Sequence, residues 1–372
     1  MKLARLFAAT MLAIMLIQVS ACTDAEAPEA ESPDVASCPV GSSPDEPGPA
    51  GQDRPKLSLE VAAAMDTQSG KIVALDDAGA TWALDVCTNT WQSMRPSTEP
   101  TVTGMGLGMV YDAADDLVVA FNGLFVWTYS VDANVWRMLT RSAPGASQGS
   151  HFVYDPVSGD VLMLDFGRSN QLWAFSLKDN AWTEVDQGEV RPNPTTQWET
   201  YATLLAFDEE ADRLVMVVDI AERATETWLF DPRAHVWTKQ SATFPDMGFG
   251  WFEHGGPIAY DSAHGVSIAF SLGLMASYRV ADGEWRTIEP GPGWSSGITA
   301  SQGADIGDQD GPLTRLGHRL LYDPVNERIV MLGGEARMGG TDPDKMWRDL
   351  ADVWAYDIAD NSWLNLVPPL ME

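Results

Sequence analysis

The side chains best placed to do chemistry in this 372-residue chain stand in stretches rich in Gly, Pro and Trp. Asp305, Asp308 and Asp310 precede Gly311, and oxygen donors at near-alternate positions ahead of a glycine form part of a calcium loop. The terminal bidentate carboxylate and most of the spacing are missing. A solvated acidic loop is therefore favoured, and Ca²⁺ is the one cofactor for which the sequence offers any ligand set. Trp198, Trp251, Trp294 and Trp347, with Glu253 and His254 beside the second, suggest a different use. Indoles on loops above a rigid scaffold can stack on sugar rings or enter a partner's pocket. The alternative, that they fold inward and cap a central channel, stays open because clustered exposed indoles are costly. Arg168, Arg223, Arg315 and Arg337 could orient a ligand. The five histidines form no pair at metal-binding spacing, and no nucleophile elbow, phosphate loop or isolated carboxylate pair stands out. Catalysis would need Asp305, Asp308, Glu253, His254 and His318 to converge in one pocket.

What positions these residues is a repeat. Aligning the chain on an Asp that closes a short apolar run gives Asp66, Asp112, Asp155, Asp208, Asp261 and Asp323, five of them preceded by Tyr or Phe. Seven to nine residues further on lie Val73-Ala74-Leu75, Val119-Ala120-Phe121, Leu162-Met163-Leu164, Val215-Met216-Val217, Ile268-Ala269-Phe270 and Val330-Met331-Leu332. These read as six second strands. The second half of each repeat carries two tryptophans nine positions apart: Trp82/Trp91, Trp127/Trp136, Trp173/Trp182, Trp228/Trp237 and Trp354/Trp363, with Tyr278/Trp285 in the fifth. Two residues before the second aromatic stand Asn89, Asn134, Asn180, His235, Gly283 and Asn361. Most of these types tolerate a left-handed backbone, which predicts a hairpin turn and gives His235 a backbone role instead of a ligand role. His318 and His151, near the starts of first strands, are read as structural, and His264 falls in a tight turn.

Four-stranded antiparallel repeats that cannot bury both faces alone predict an all-β, six-bladed β-propeller over residues 57–372. The last repeat, residues 317–366, is the fullest: Tyr322-Asp323, a strand ending in Gly333-Gly334, then Val353-Trp354-Ala355-Tyr356-Asp357 and Trp363. This pattern resembles the Kelch repeat of galactose oxidase-like propellers, with Asn122-Gly123 and Phe166-Gly167 as partial echoes of the double glycine. The resemblance implies the fold and little about activity, since such propellers host both binding proteins and enzymes. A copper oxidase centre would need Tyr and His ligands and a Tyr-Cys crosslink, and Cys87 falls in a turn on the wrong face.

Residues 1–21 combine Lys2 and Arg5 with an apolar run and small residues ahead of Cys22, an export signal too short for a membrane span. Val19-Ser20-Ala21-Cys22 resembles the lipobox of bacterial lipoproteins, which implies lipidation of Cys22 and anchoring to a membrane; cleavage without lipid is the alternative. Residues 22–56, poor in aromatic and branched apolar side chains, are expected to form a disordered acidic tether. Cys38 and Cys87 remain, and two thiols in an exported protein favour a disulfide over two free cysteines. A net charge of −30 makes nucleic acid a poor partner.

In an antiparallel meander, the loops from second to third strand and from blade to blade share one face. The stretches 95–106, 140–150, 186–201, 241–255, 286–316 and 335–352 all fall there, and the four unassigned tryptophans lie within them. The sequence thus leads to a monomeric, membrane-anchored, extracytoplasmic propeller. It would bind a protein or glycan at the cell surface through its long-loop face. The alternative is an enzyme acting on extracytoplasmic carbohydrate or peptide at a central pocket.

Overall fold

The computed structural model describes residues 35–58, 61–101, 108–140, 150–165, 171–192, 203–221, 224–245, 258–271, 274–289, 311–337 and 347–368. They form six four-stranded antiparallel blades. The first contains β1 (Ala62–Asp66), β2 (Lys71–Leu75), β3 (Thr81–Asp85) and β4 (Thr90–Ser93). The second contains β5 (Gly108–Asp112), β6 (Leu117–Phe121), β7 (Val126–Ser130) and β8 (Val135–Thr140). The third contains β9 (Ser150–Asp155), β10 (Asp160–Asp165), β11 (Gln171–Ser176) and β12 (Ala181–Val185). The fourth contains β13 (Thr203–Asp208), β14 (Arg213–Ala221), β15 (Ala224–Asp231) and β16 (Val236–Lys239), and the fifth β17 (Ile258–Asp261), β18 (Val266–Ser271), β19 (Leu274–Arg279) and β20 (Glu284–Ile288). The sixth contains β21 (Arg319–Asp323), β22 (Arg328–Leu332), β25 (Val353–Asp357) and β26 (Ser362–Val367). Between β22 and β25 the sequence suggested only a loop. The structure inserts a small ribbon there, β23 (Glu335–Arg337) paired with β24 (Trp347–Asp349).

First strands adjoin one another in order around the axis, and β1 meets β21, so the ring is closed. Each seam between blades holds an apolar cluster, built from the alternate side chains that each sheet presents to its neighbour. The second strands supply the deepest residues, among them Val73, Val119, Met163, Val215, Ile268 and Val330, all fully buried.

The repeated Asp works on the backbone. Each of the six is buried, and its Oδ1 accepts amide protons from the turn that follows. The donors are Gln68 and Ser69 for Asp66, Ala114 and Asp115 for Asp112, Val157 for Asp155, Ala211 for Asp208, His264 for Asp261, and Val325 and Asn326 for Asp323. These Asx turns close one face of the ring tightly. The outer hairpins complete that face. Asn89, Asn134, Asn180, His235, Gly283 and Asn361 all have positive φ, between 48° and 67°, as their residue types suggest.

The same turn residues join blades. Asn134 Nδ2 donates to the Met94 carbonyl, Asn180 Nδ2 to Leu139 and Asn361 Nδ2 to Glu289, each on the blade before its own. The outer-strand indoles reach the same way: Trp136 Nε1 donates to Thr81, Trp237 Nε1 to Gln187 and Trp285 Nε1 to Thr227.

The tether expected over residues 22–56 requires correction, because from Val35 onward the chain packs against the propeller. Ala36 donates its amide to Thr67 O at 2.8 Å, and Gly48 donates to Leu366 O at 2.8 Å. Cys38 is disulfide-bonded to Cys87, with Cα atoms 5.3 Å apart. The compositional argument asked whether this segment could bury enough surface by itself. Here the order comes from outside it: Asn89 and Arg328 on the blades donate to its Pro44 carbonyl. Its end also accounts for the first of the two glycines, while the second is crowded by its own blade. A Cβ on Gly333 would lie 2.8 Å from Leu57, and one on Gly334 2.5 Å from Leu316 O. Both glycines have positive φ. Glycine is therefore needed at both positions of the sixth blade, at the first because the segment passes there.

Candidate functional site

The connections that leave β2, β6, β10, β14, β18 and β22, and those linking one blade to the next, emerge at the end of the ring opposite the Asx turns. Trp198, Trp251, Glu253, His254, Trp294, Asp305, Asp308 and Asp310 all belong to these connections and lie outside the described residues, as do Arg168, Arg223 and Cys22. Trp347 opens β24 and Arg337 closes β23, so the ribbon's backbone brings these two into register as a pair.

Arg315 is not an orienting group at the surface. It is fully buried, its Nη1 and Nη2 donate to Asp352 Oδ1 and Oδ2 at 2.6 and 2.9 Å, and it also reaches the Gly333 and Leu313 carbonyls. Trp354 Nε1 donates to the same carboxylate at 2.7 Å. A charge pair so enclosed, with its hydrogen bonds made, fixes the long-loop corner of the sixth blade.

His318 fits the structural role expected of it. It is buried, its ring lies edge-on to Phe270, and its Nε2 donates to the Phe270 carbonyl at 3.1 Å. Burial, helped by the Arg315 charge, lowers its pKa to about 3, so the ring is neutral at physiological pH. His151, near the start of the third blade's first strand, lies one register position further along than His318. Pairing of His151 with Leu164 and of Arg319 with Leu332 puts His151 level with Arg319, and Ser150 level with His318.

That register exposes a feature the repeat alignment did not bring out. Four residues before the closing Asp stand Ala62, Gly108, His151, Leu204, Pro257 and Arg319. Counting back from each Asp would have found it. Arg319 Nη2 approaches Met109 O on the second blade at 3.5 Å, so its side chain passes the first blade's inner strand, whose Ala62, Ala63 and Ala64 are small. Desolvation brings its pKa down to about 10, which leaves it charged at neutral pH. Arg319 and His151, on the sixth and third of six blades, are the basic side chains within the first strands, and they stand near the long-loop end of the axis.

At the rim of the same face, Glu335 and Asp349 face each other at the base of the ribbon, and Lys56 Nζ bridges Asp349 at 2.8 Å to Asp77 at 3.5 Å. Desolvation, then Asp349, raises the Glu335 pKa. Asp349 and Asp77 are thus engaged by Lys56, which anchors the N-terminal segment. Among the described residues no group of three or more His, Cys, Asp and Glu is arranged to hold a metal ion. No helix among them is long and apolar enough to cross a membrane.

No protein-family model matches the chain. Among solved structures, that of YjhT is similar, with a TM-score of 0.53 at 13% identity over 84% of this chain and 98% of that one. At such identity the likeness speaks for the fold alone. With the six four-stranded blades, it supports a Kelch-type β-propeller.

Proposed function

We propose that this propeller is an extracytoplasmic binding module, lipid-anchored through Cys22, that engages a protein or glycan with its long-loop face. The observation that carries the reading is the contrast between the two ends of the ring. One end is closed by short turns in which six buried Asp side chains hold the backbone. At the other end the described strands run into the long connections, in whose sequence the four tryptophans outside the repeat fall, and Arg319 lies near the axis there. A rigid scaffold with variable aromatic loops on one side suits recognition. The described chain begins beside the tight-turn end, at Ala36 and Cys38, which supports presentation of the long-loop face away from the anchor.

The test is a glycan array, with crosslinking to envelope proteins, on the oxidised chain lacking its signal. Wild type is compared with folded variants carrying Ala at Trp198, Trp251, Trp294 and Trp347. Loss of binding in the variants supports the long-loop face. Equal binding by wild type and variants removes it. Lipid attachment is tested separately by mass spectrometry of the N-terminal peptide, with Cys22→Ala releasing the protein from the membrane fraction.

A further inference from the structure

We infer that residues 36–57 form a latch that closes the ring at the seam between the sixth and first blades, and that the Cys38–Cys87 bond makes this closure depend on oxidation. The segment crosses the seam from one end of the ring to the other, and its attachments fall on both blades. At the tight-turn end, Ala36 binds Thr67 and Cys38 binds Cys87, both on the first blade, while Asn326 of the sixth blade donates to Val86 O beside that cysteine. Midway, Gly48 donates to Leu366 on the outer strand of the sixth blade, and Asn89 of the first blade donates to Pro44 O and Glu46 O at 2.7 and 2.8 Å. Arg328 of the sixth blade donates to the same Pro44 carbonyl. At the long-loop end, Lys56 joins Asp77 of the first blade to Asp349 of the sixth, and Leu57 accepts from the Gly334 amide.

The comparison with other seams shows what the latch replaces. Asn134, Asn180 and Asn361 each donate to the carbonyl of a residue in or just after the outer strand of the preceding blade. Asn89, at the same turn position, donates to the latch instead. At this position the first blade thus meets an inserted segment where the second, third and sixth blades meet a neighbour. The fit is close at one point, since a Cβ on Gly48 would lie 1.9 Å from Asn89 O. Met65 removes another tie, for it stands where Tyr111, Tyr154, Tyr260 and Tyr322 stand in their blades. Those phenols bond to the turn of the preceding blade: Tyr111 to Thr67, Tyr154 to Asp112, Tyr260 to Asp208 and the Glu210 amide, and Tyr322 to the Ala263 amide.

Apart from Pro55, Leu57 and the disulfide, the latch is held by hydrogen bonds and half-exposed ion pairs, each of small net worth. The covalent bond keeps these groups together at high effective concentration. A dithiol reductant supplying two electrons and two protons would convert the bond to two thiols and leave only the weak ties.

Hydrogen exchange followed by mass spectrometry on the oxidised chain, the dithiothreitol-treated chain and Cys87→Ser tests this. Exchange is expected to rise at least severalfold in β4, β26 and residues 36–57, while β12 and β16 at the third-to-fourth seam keep their protection. Gly48→Val, with the disulfide intact, should raise exchange in β26 and residues 44–54 and leave residues 36–39 protected. An equal rise at every seam, or unchanged protection of β4 and β26 after reduction, overturns the latch.

Discussion

Trp136 Nε1 donates to Thr81 Oγ1 at 2.8 Å across the first seam, and both residues are buried. The indole needs a partner there, because a buried donor left without one loses its hydration and gains nothing in return. Thr81→Val keeps the shape and removes the acceptor. It is expected to destabilise the propeller by about 1–3 kcal/mol in urea denaturation, whereas Thr81→Ser, which keeps the hydroxyl, should cost less.

Asn134 combines a φ of 50° with two side-chain bonds, accepting from Tyr129 Oη and donating to Met94 O. Asn134→Ala loses both bonds and places a Cβ residue without local hydrogen bonding in the left-handed region. Asn134→Gly loses the bonds and relieves the backbone. The alanine variant should be less stable than the glycine variant by about 1 kcal/mol, measured as a shift of denaturation midpoint at constant m. Equal stabilities would refute the backbone argument for this turn.

His318 makes stability depend on pH with a definite sign. Its folded pKa of about 3 lies below the ordinary value of 6.5, so its contribution is present above that value and is lost as pH falls from 6.5 towards 3. Desolvation raises the carboxyls of Asp66, Asp112 and Asp208, which act oppositely: their contribution is present below the ordinary carboxylate range and is lost as pH rises through their folded values. The imidazole is isolated by comparing slopes. Between pH 7 and pH 4, wild type should lose more stability than His318→Gln, and parallel profiles would assign the acid sensitivity elsewhere.

Asp352 neutralises a guanidinium that has no access to water, and it also accepts from Trp354. Asp352→Ala should cost about 3–5 kcal/mol, the range for breaking a buried pair. Arg315→Met combined with Asp352→Leu removes both charges and should recover much of that loss. Chemical denaturation of the three proteins checks it, and a double variant as unstable as Asp352→Ala would mean that the charges themselves hold the corner.

The sequence by itself determined the propeller, because each blade is a local object. Its Asp, its second-strand apolar run and its left-handed hairpin residue act within about fifty positions, and their sixfold recurrence is visible without coordinates. It also put the long connections on one face, since antiparallel strands reverse direction at each turn. Tertiary structure decided what depends on distant partners. The order of residues 35–57 comes from Asn89, Arg328 and Leu366, not from the segment's own composition. The first glycine of the pair is explained by Leu57, some 276 positions away in the chain, and the second by Leu316 and His318 of its own blade. Arg315 looked like a surface cation until Asp352 enclosed it, and Arg319 gained its place near the axis only when the first strands of six blades were brought together. Composition predicts how a segment behaves alone in water. Whether it is buried, paired or latched depends on groups that the fold brings from elsewhere.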